Sequence, residues 1–465
     1  MGIFDSHTHL NAAAFDADRD ATWARAQAAG VDAALNIGSG HGIAGHHATM
    51  ELVQRYDNLW ASVGVHPHEA HEYGPDFQAM LDSYIAHPKV VCVGEIGLDY
   101  HYDHSPRDVQ RAVFERMCEY AIAHGKPVSI HTREAYADTL EILERTRVSR
   151  KTGAIIHCFT GDAEQARAYL KLGCWLSIPG VVTYNRAESI RQAIQVIPTE
   201  KLLVETDAPY LSPIPYRGKR NEPAYLPHTV AAVAEARGLS VEDVVRITGR
   251  NARDVLGLPQ SPTARVAYTI RDSVYLNITN RCTLACTFCP KFKDWMVKGH
   301  YLELPAEPDI AAVFAELERE HWRERSEIVF CGYGEPTQRL EMLLAVARRA
   351  RELKPDVKIR LNTDGLGCRI HGRDIVPELV GAVDRISVSL NATDAATYAR
   401  YCPNPYGAEA FESVKAFIAA CAASSGFESV TASVVGMPKL DLDTARALAE
   451  SLGARFRLRP LNEVG

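Results

Sequence analysis

The sequence has 465 residues, more than one ordinary domain holds, and its 46% apolar share leaves room for substantial cores. A formal charge of −7 disfavours a broad surface for coating nucleic acid, and no run of about 18 apolar residues offers a membrane span. The eleven cysteines are mostly scattered, unlike a secreted disulfide framework, and "MGIFDSHTHLNAAAF" lacks a basic flank followed by an apolar core, so no signal peptide and a cytoplasmic location are expected.

In chain order, short apolar strands alternate with amphipathic helices. "GIFDSH", "AALNIG", "WASVGVH", "VVCVGEIG", "PVSIH", "GAIIHC", "CWLSI" and "LLVETD" are eight predicted strands, with helical stretches such as "ATWARAQAAG" and "RAVFERMCEYAIAHG" between them. Eight such units over about 250 residues predict an α/β fold of the (β/α)8 TIM type, whose active site lies at the C-terminal ends of the strands. A helical stretch, "SVEDVVRITGRNARDVLGL", then gives way to Gly257, Pro259, Ser261 and Pro262, which predicts a first domain over 1–258 and a linker over 259–269. A second domain over 270–465 continues the rhythm with "VYLNIT", "EIVFCG", "KIRLNT", "RISVSLN", "VTASVVG" and "RFRLRP". Six units are too few for eight-fold closure and predict an open, partial (β/α)6 barrel.

Metal-binding residue types divide between the halves: fifteen of the eighteen histidines precede residue 260 and seven of the eleven cysteines follow it. Imidazole and carboxylate suit borderline or hard divalent ions, whereas grouped thiolates suit zinc or iron–sulfur, so two metal chemistries are expected. In "DSHTHL", His7 and His9 stand at i and i+2 and face the same side of a strand. Glu95, His131, His157 and Asp207 end later strands. Together these four histidines and two carboxylates are enough for two divalent ions with a carboxylate between them.

"DSHTHL", "GVHPHE", "GEIGLDY", "IHTREA", "HCFTG" and "ETDAPYL", in that order, make residues 1–258 resemble the TatD family of metal-dependent hydrolases. The resemblance implies that His7, His9, Glu95 and Asp207 hold one metal, and that Glu95 bridges to a second held by His131 and His157. It also implies phosphodiester hydrolysis, often 3′-to-5′ exonuclease action, on a nucleic acid or nucleotide with two ions (zinc, magnesium or manganese). Asp207 and Glu95 then serve catalysis, His66 contacts a phosphate oxygen or leaving group, and Arg133 is a candidate phosphate clamp. Because one fold serves several reactions, ester or amide cleavage, such as deacylation of aminoacyl-tRNA, is the alternative.

In "RCTLACTFCP", Cys282, Cys286 and Cys289 follow the first strand of the second domain. The nearest fourth ligands for zinc, His300 and Cys331, fit no common finger spacing. Three thiolates on a cube of four irons leave one iron open to an exchangeable ligand. This spacing, with Phe288 before the last thiol, resembles the radical S-adenosylmethionine (SAM) superfamily, and most of all its small members associated with TatD-type nucleases. The resemblance implies a 4Fe-4S cluster, SAM chelating the open iron, and an external electron donor such as flavodoxin or ferredoxin. It further implies SAM contacts from Gly332, Gly334 and Glu335 in "CGYGEP", where Tyr333 interrupts the family's Gly-Gly-Glu. Asn362 and Thr363, at the end of the third strand, are candidates for the SAM ribose or carboxylate, and Ser389 and Asn391, at the end of the fourth, for the ribose hydroxyls. A redox sensor governing the hydrolase is the alternative reading. Among the remaining cysteines, Cys402, in a loop-like "RYCPNPYG", is the candidate catalytic thiol.

Overall fold

A computed structural model describes residues 2–259, 263–292, 295–438 and 440–461. The chain forms two compact units, Met1–Gln260 and Ser261–Gly465. Among the described residues, no helix is long and apolar enough to cross a membrane.

The first unit is a ring of parallel strands in sequential order: β1 (Ile3–Thr8), β2 (Val31–Ile37), β3 (Leu59–Val63), β4 (Val90–Asp99), β5 (Val128–Arg133), β6 (Ala154–Ile156), β7 (Trp175–Ile178) and β8 (Leu202–Val204). Strands in such a ring are covered on both faces, which is why β4 is buried at all ten positions. The ring closes where the chain beyond β8 meets β1. The backbone N–H of Asp207 donates to the His7 carbonyl at 2.9 Å, and Ser6 Oγ donates to the Val204 carbonyl at 3.0 Å. Asp5 reinforces the seam by accepting from the backbone and hydroxyl of Thr206, and burial pushes its pKa up to about 7. At the opposite end, Phe4, Leu35, Cys92, Ile155 and Leu203 pack with Val255, Leu256 and Leu258 into an apolar plug. Each such side chain contributes roughly 1.5–3 kcal/mol on full burial.

The second unit is an open sheet. Its strands are β9 (Ala267–Ile270), β10 (Ser273–Leu276), β13 (Glu327–Phe330), β14 (Lys358–Thr363), β15 (Arg385–Ser389), β16 (Ser429–Val435) and β17 (Arg455–Arg459); β11 (Met296–Val297) and β12 (His300–Tyr301) form a separate hairpin. The six expected strands are parallel, and β9 adds to them antiparallel to β10. Residues 267–269 of β9 fall in the stretch read as linker; that reading followed the Gly/Pro punctuation just upstream and missed the short apolar strand beyond it. Burial alternates along β14 and β15, with Ile359, Leu361, Ile386 and Val388 turned toward helices and the residues between them toward the other face. Alternation of this kind marks a sheet covered by helices on one face only.

His46, on the helix Gly42–Arg55, ties the end of β3 in place. Its ring is fully buried, with Nδ1 3.0 Å from the Gly42 carbonyl and Nε2 3.3 Å from the Gly64 N–H. Nε2 also lies 3.0 Å from the Gly64 carbonyl, so either nitrogen of the neutral ring can carry its proton. Burial holds its pKa at about 4, below the ordinary 6.5. The unfolded chain therefore takes up this proton first as pH falls, so the stability His46 contributes is complete above pH 6.5 and is lost toward pH 4. In urea unfolding of the first unit, His46→Gln is expected to show a shallower loss of stability over that window than the unmodified chain.

Candidate functional site

The polar residues predicted at the ends of β1, β4, β5, β6 and β8 converge at one mouth of the barrel. His7 and His9 are buried on the same side of β1, with their Nε2 atoms 3.2 Å apart. Oε2 of Glu95 lies 3.4 Å from His7 Nε2 and 3.8 Å from His9 Nε2, and Oδ1 of Asp207 lies 3.7 and 3.6 Å from the same atoms. A tetrahedral ion with donor bonds of about 2.1 Å would space its ligands about 3.4 Å apart. His7, His9 and Glu95 therefore have the chemistry and the spacing of one ion site, with Asp207 next to both histidines.

The other oxygen of Glu95 meets a second set. Oε1 is 2.8 Å from His131 Nδ1, 2.9 Å from His157 Nε2 and 3.6 Å from His66 Nε2. His66 thus joins the imidazole cluster itself. Arg133 is exposed, and its guanidinium lies 4.8 Å from the centre of the Tyr102 ring. Glu95 is placed by its neighbours. Its N–H donates to Ser39 Oγ at 2.6 Å, and two residues on Gly97 has φ +135°, where a Cβ would stand 2.0 Å from the His131 carbonyl oxygen. Only glycine lets β4 come this close to β5 at that point.

Burial alone would push the Glu95 carboxyl up, but its electrostatic interactions with His157, His66 and His7 and the hydrogen bond from His131 outweigh it and hold its pKa well below the usual range. Burial pushes His7 down and His66 down to about 4. Burial also opposes charge on His157, yet Glu95 and Glu205 raise it well above an ordinary imidazole.

Two carboxylates here were not singled out in the sequence. Asp99 Oδ2 lies 3.0 Å from His131 Nε2 and 2.9 Å from His68 Nε2, while its Oδ1 accepts from the backbone of His101 and Tyr102. Glu205 Oε1 lies 3.2 Å from His157 Nδ1 and accepts the Cys158 N–H at 2.6 Å. These partners fix which ring nitrogen of each histidine is free. Strand parity was the available signal: Asp99 is four residues after Glu95, and Glu205 two before Asp207.

In the second unit, the loop bearing Cys282, Cys286 and Cys289 pairs with the segment around Cys402. Ala285 N–H donates to the Pro403 carbonyl at 2.8 Å and Thr287 N–H to the Tyr401 carbonyl at 2.9 Å. Cys402 is fully buried at the end of the helix Ala395–Tyr401, and its hydrogen bond with Cys286, with burial, raises the Cys286 pKa. Among the described residues, no trio containing a cysteine brings its donor atoms within 4.8 Å of one another. Phe288 is half-buried against the core beside the cysteines.

Glu335 is buried and held on both oxygens. Oε1 accepts from Thr337 N–H and from the hydroxyls of Thr337 and Thr363, and Oε2 accepts from Asp364 N–H at 2.6 Å. Asp364, not singled out in the sequence, lies beside it; burial and then the charge of Glu335 raise its pKa well above the carboxylate range. Asn362 Oδ1 and Asp364 Oδ2 are buried without partners. Ser389 is half-buried, whereas Asn391 is buried and its Oδ1 accepts from the Val435 N–H at 3.2 Å. Gly332 and Gly334 pack against the strand-end loop that leads into the cysteines: a Cβ on Gly334 would stand 2.1 Å from the Thr279 carbonyl oxygen, and one on Gly332 2.2 Å from Asn277 Oδ1.

Residues 4–257 match the family described as TatD related DNase, and residues 276–452 match the radical SAM superfamily. The first unit is 38% identical over 251 residues to an uncharacterised metal-dependent hydrolase, YabD, of Bacillus subtilis, covering 54% of this chain and 97% of that protein. It is 36% identical over 262 residues to the 3′-5′ ssDNA/RNA exonuclease TatD of Citrobacter rodentium, covering 55% of this chain and 98% of that protein. Among solved structures, YjjV, a TatD homologue of Escherichia coli, superimposes with a TM-score of 0.52 at 27% identity, covering 55% of this chain and 98% of YjjV.

The contact at Gly334 carries a direct consequence. Gly334→Ala is expected to destabilise the second unit by about 1–3 kcal/mol or more through overpacking, read as a lowered thermal transition for that unit with the first unit's transition unchanged.

Proposed function

Because the chain belongs to the TatD related DNase family and carries a radical SAM domain in its second unit, we propose that it is a bifunctional enzyme: a two-metal phosphodiesterase joined to a 4Fe-4S radical SAM enzyme. The observation that carries the first half is the division of Glu95, one oxygen toward His7 and His9 and the other toward His131 and His157. In this reading His7, His9, Glu95 and Asp207 would hold one divalent ion, and Glu95, His131 and His157 would hold the other. Such a pair of ions lowers the pKa of water and neutralises charge on a phosphodiester.

The side chains supply the rest. Asp207 stands at the rim of the cluster, where its second oxygen can take the proton of the attacking water. Asp99 and Glu205 orient His131 and His157. His66, kept neutral by burial, can donate to a phosphate oxygen or leaving group. The substrate class is nucleic acid or nucleotide, in line with the exonuclease of Citrobacter rodentium to which the first unit is similar. In the second unit, Cys282, Cys286 and Cys289 hold the cluster, and Glu335 with Asp364 offers carboxylate oxygens beside them to the SAM ammonium group. An external one-electron donor of the flavodoxin or ferredoxin kind supplies the electron.

With single-stranded DNA as substrate, Asp207→Asn is expected to lower kcat by about 10²–10⁴. Asp99→Asn is expected to weaken binding of a divalent ion about 10–100-fold in competition with a chelator, because His131 loses its orienting acceptor. Unimpaired DNA cleavage by Asp207→Asn, or a preference for an aminoacyl ester over DNA in direct competition, would overturn the phosphodiesterase reading.

Cys286→Ser is expected to abolish the cluster's visible absorbance and the reductant-dependent release of 5′-deoxyadenosine from SAM, with DNA hydrolysis retained. Cleavage of SAM by the cluster-free variant would refute the assignment of the second site.

A further inference from the structure

The open face of the second unit's sheet is unusually cationic. By strand alternation it carries Lys358 and Arg360 on β14, Arg385 on β15, and Arg455, Arg457 and Arg459 on β17, interleaved with Ser387, Ser389, Thr431 and Ser433. A cavity of about 370 Å³ opens on this face, lined in part by Glu327, Arg360, Arg385, Ser387, Thr431 and Arg457. Toward the N-terminal ends of the strands the cations are matched: Arg360 pairs with Glu327 at 2.8 Å, and both Arg385 and Lys358 pair with Glu428.

Toward the C-terminal ends they are not. Among the described residues, no carboxylate lies within 4.0 Å of Arg457 or Arg459. Among the described residues, the Arg459 guanidinium makes two long contacts to neutral acceptors, Ser389 Oγ and Asn391 Oδ1, each at 3.4 Å, and its Nε is buried with no hydrogen-bond partner. Burial disfavours its charge and lowers its pKa, and it stands close enough to Cys286 and Cys402 for its charge to act on them. A desolvated guanidinium with no counter-charge is costly to keep, and its fork of donors fits the paired oxygens of a phosphate or carboxylate.

We propose that Arg459, with Arg457 beside it on the same face of β17, is an anion-binding site for the radical SAM unit's substrate, a small molecule bearing a dianionic group, either a phosphate or paired carboxylates. The two guanidiniums supply the matching charge, and Ser389 and Ser433 lie next to them on β15 and β16 for further hydrogen bonds. The site sits at the strand ends that carry the cysteine loop, where a bound anion would hold its parent molecule near the radical. Phosphodiester hydrolysis releases groups of this class, so a product of the first reaction has the chemistry to enter the second. Naming the anion a substrate rests on the radical SAM reading above; the anion site itself rests on the geometry alone.

The test uses the full chain with its cluster reconstituted anaerobically and divalent ions removed from the first unit by chelation. Inorganic phosphate and malonate are titrated calorimetrically at low ionic strength, into the unmodified chain and into Arg459→Met and Arg459→Lys, and SAM is titrated in parallel. The unmodified chain is expected to bind at least one of the two anions saturably, and the preferred probe distinguishes phosphate from paired carboxylates. Arg459→Met is expected to weaken that binding about 10–100-fold, with partial recovery in Arg459→Lys and a decline on adding chloride. Absence of saturable anion binding by the unmodified chain overturns the proposal without recourse to any variant. Equal affinity in Arg459→Met, or a loss confined to SAM, overturns it as well. Iron content and SAM affinity of the unmodified chain report separately on the radical SAM reading.

Discussion

Glu95 is the constraint around which the first unit is organised. A carboxylate buried to this depth is unfavourable alone, and what keeps it charged is a ring of imidazoles drawn from four strands or strand ends: His7, His66, His131 and His157. Because its two oxygens face different partners, one side chain fastens two donor sets at a fixed separation. The ring closure at Asp207 and His7, the Cβ-free approach of Gly97 to β5 and the hydroxyl of Ser39 all serve to hold this one group in place. The orienting carboxylates Asp99 and Glu205 each engage one nitrogen of His131 and His157 and leave the other facing Glu95.

The second unit solves a different problem. Its sheet is covered by helices on one face only, so the other face is free to be polar. The cysteine loop is pinned to the segment around Cys402 by backbone hydrogen bonds and braced by the turn at Gly332 and Gly334. Beside it, Glu335 and Asp364 place two carboxyl groups together, and Arg459 ends the last strand within reach of Ser389 and Asn391. Cys402, read as a loop thiol, is instead fully buried against Cys286, which suits a packing role beside the cluster loop better than an exposed nucleophile.

Strand order, the division into an imidazole-rich and a thiol-rich half, and the pairing of His7 with His9 were all legible in the sequence, because alternation along a strand is a local property and needs only neighbours two residues apart. The three cysteines were legible for the same reason. What the tertiary structure alone decided was long-range contact: that Asp5 meets Thr206 about two hundred residues away, that His66 joins the imidazoles around Glu95, that Asp99 and Glu205 back His131 and His157, and that half-buried Arg459 has no carboxylate partner among the described residues. β9 escaped notice because a four-residue strand has too little periodicity to stand out from punctuation, and it acquires its identity only by pairing with β10. Local pattern specifies which face a side chain takes; which other side chains meet it there depends on closure of the whole sheet, and that is settled by packing between segments that sequence separation keeps far apart.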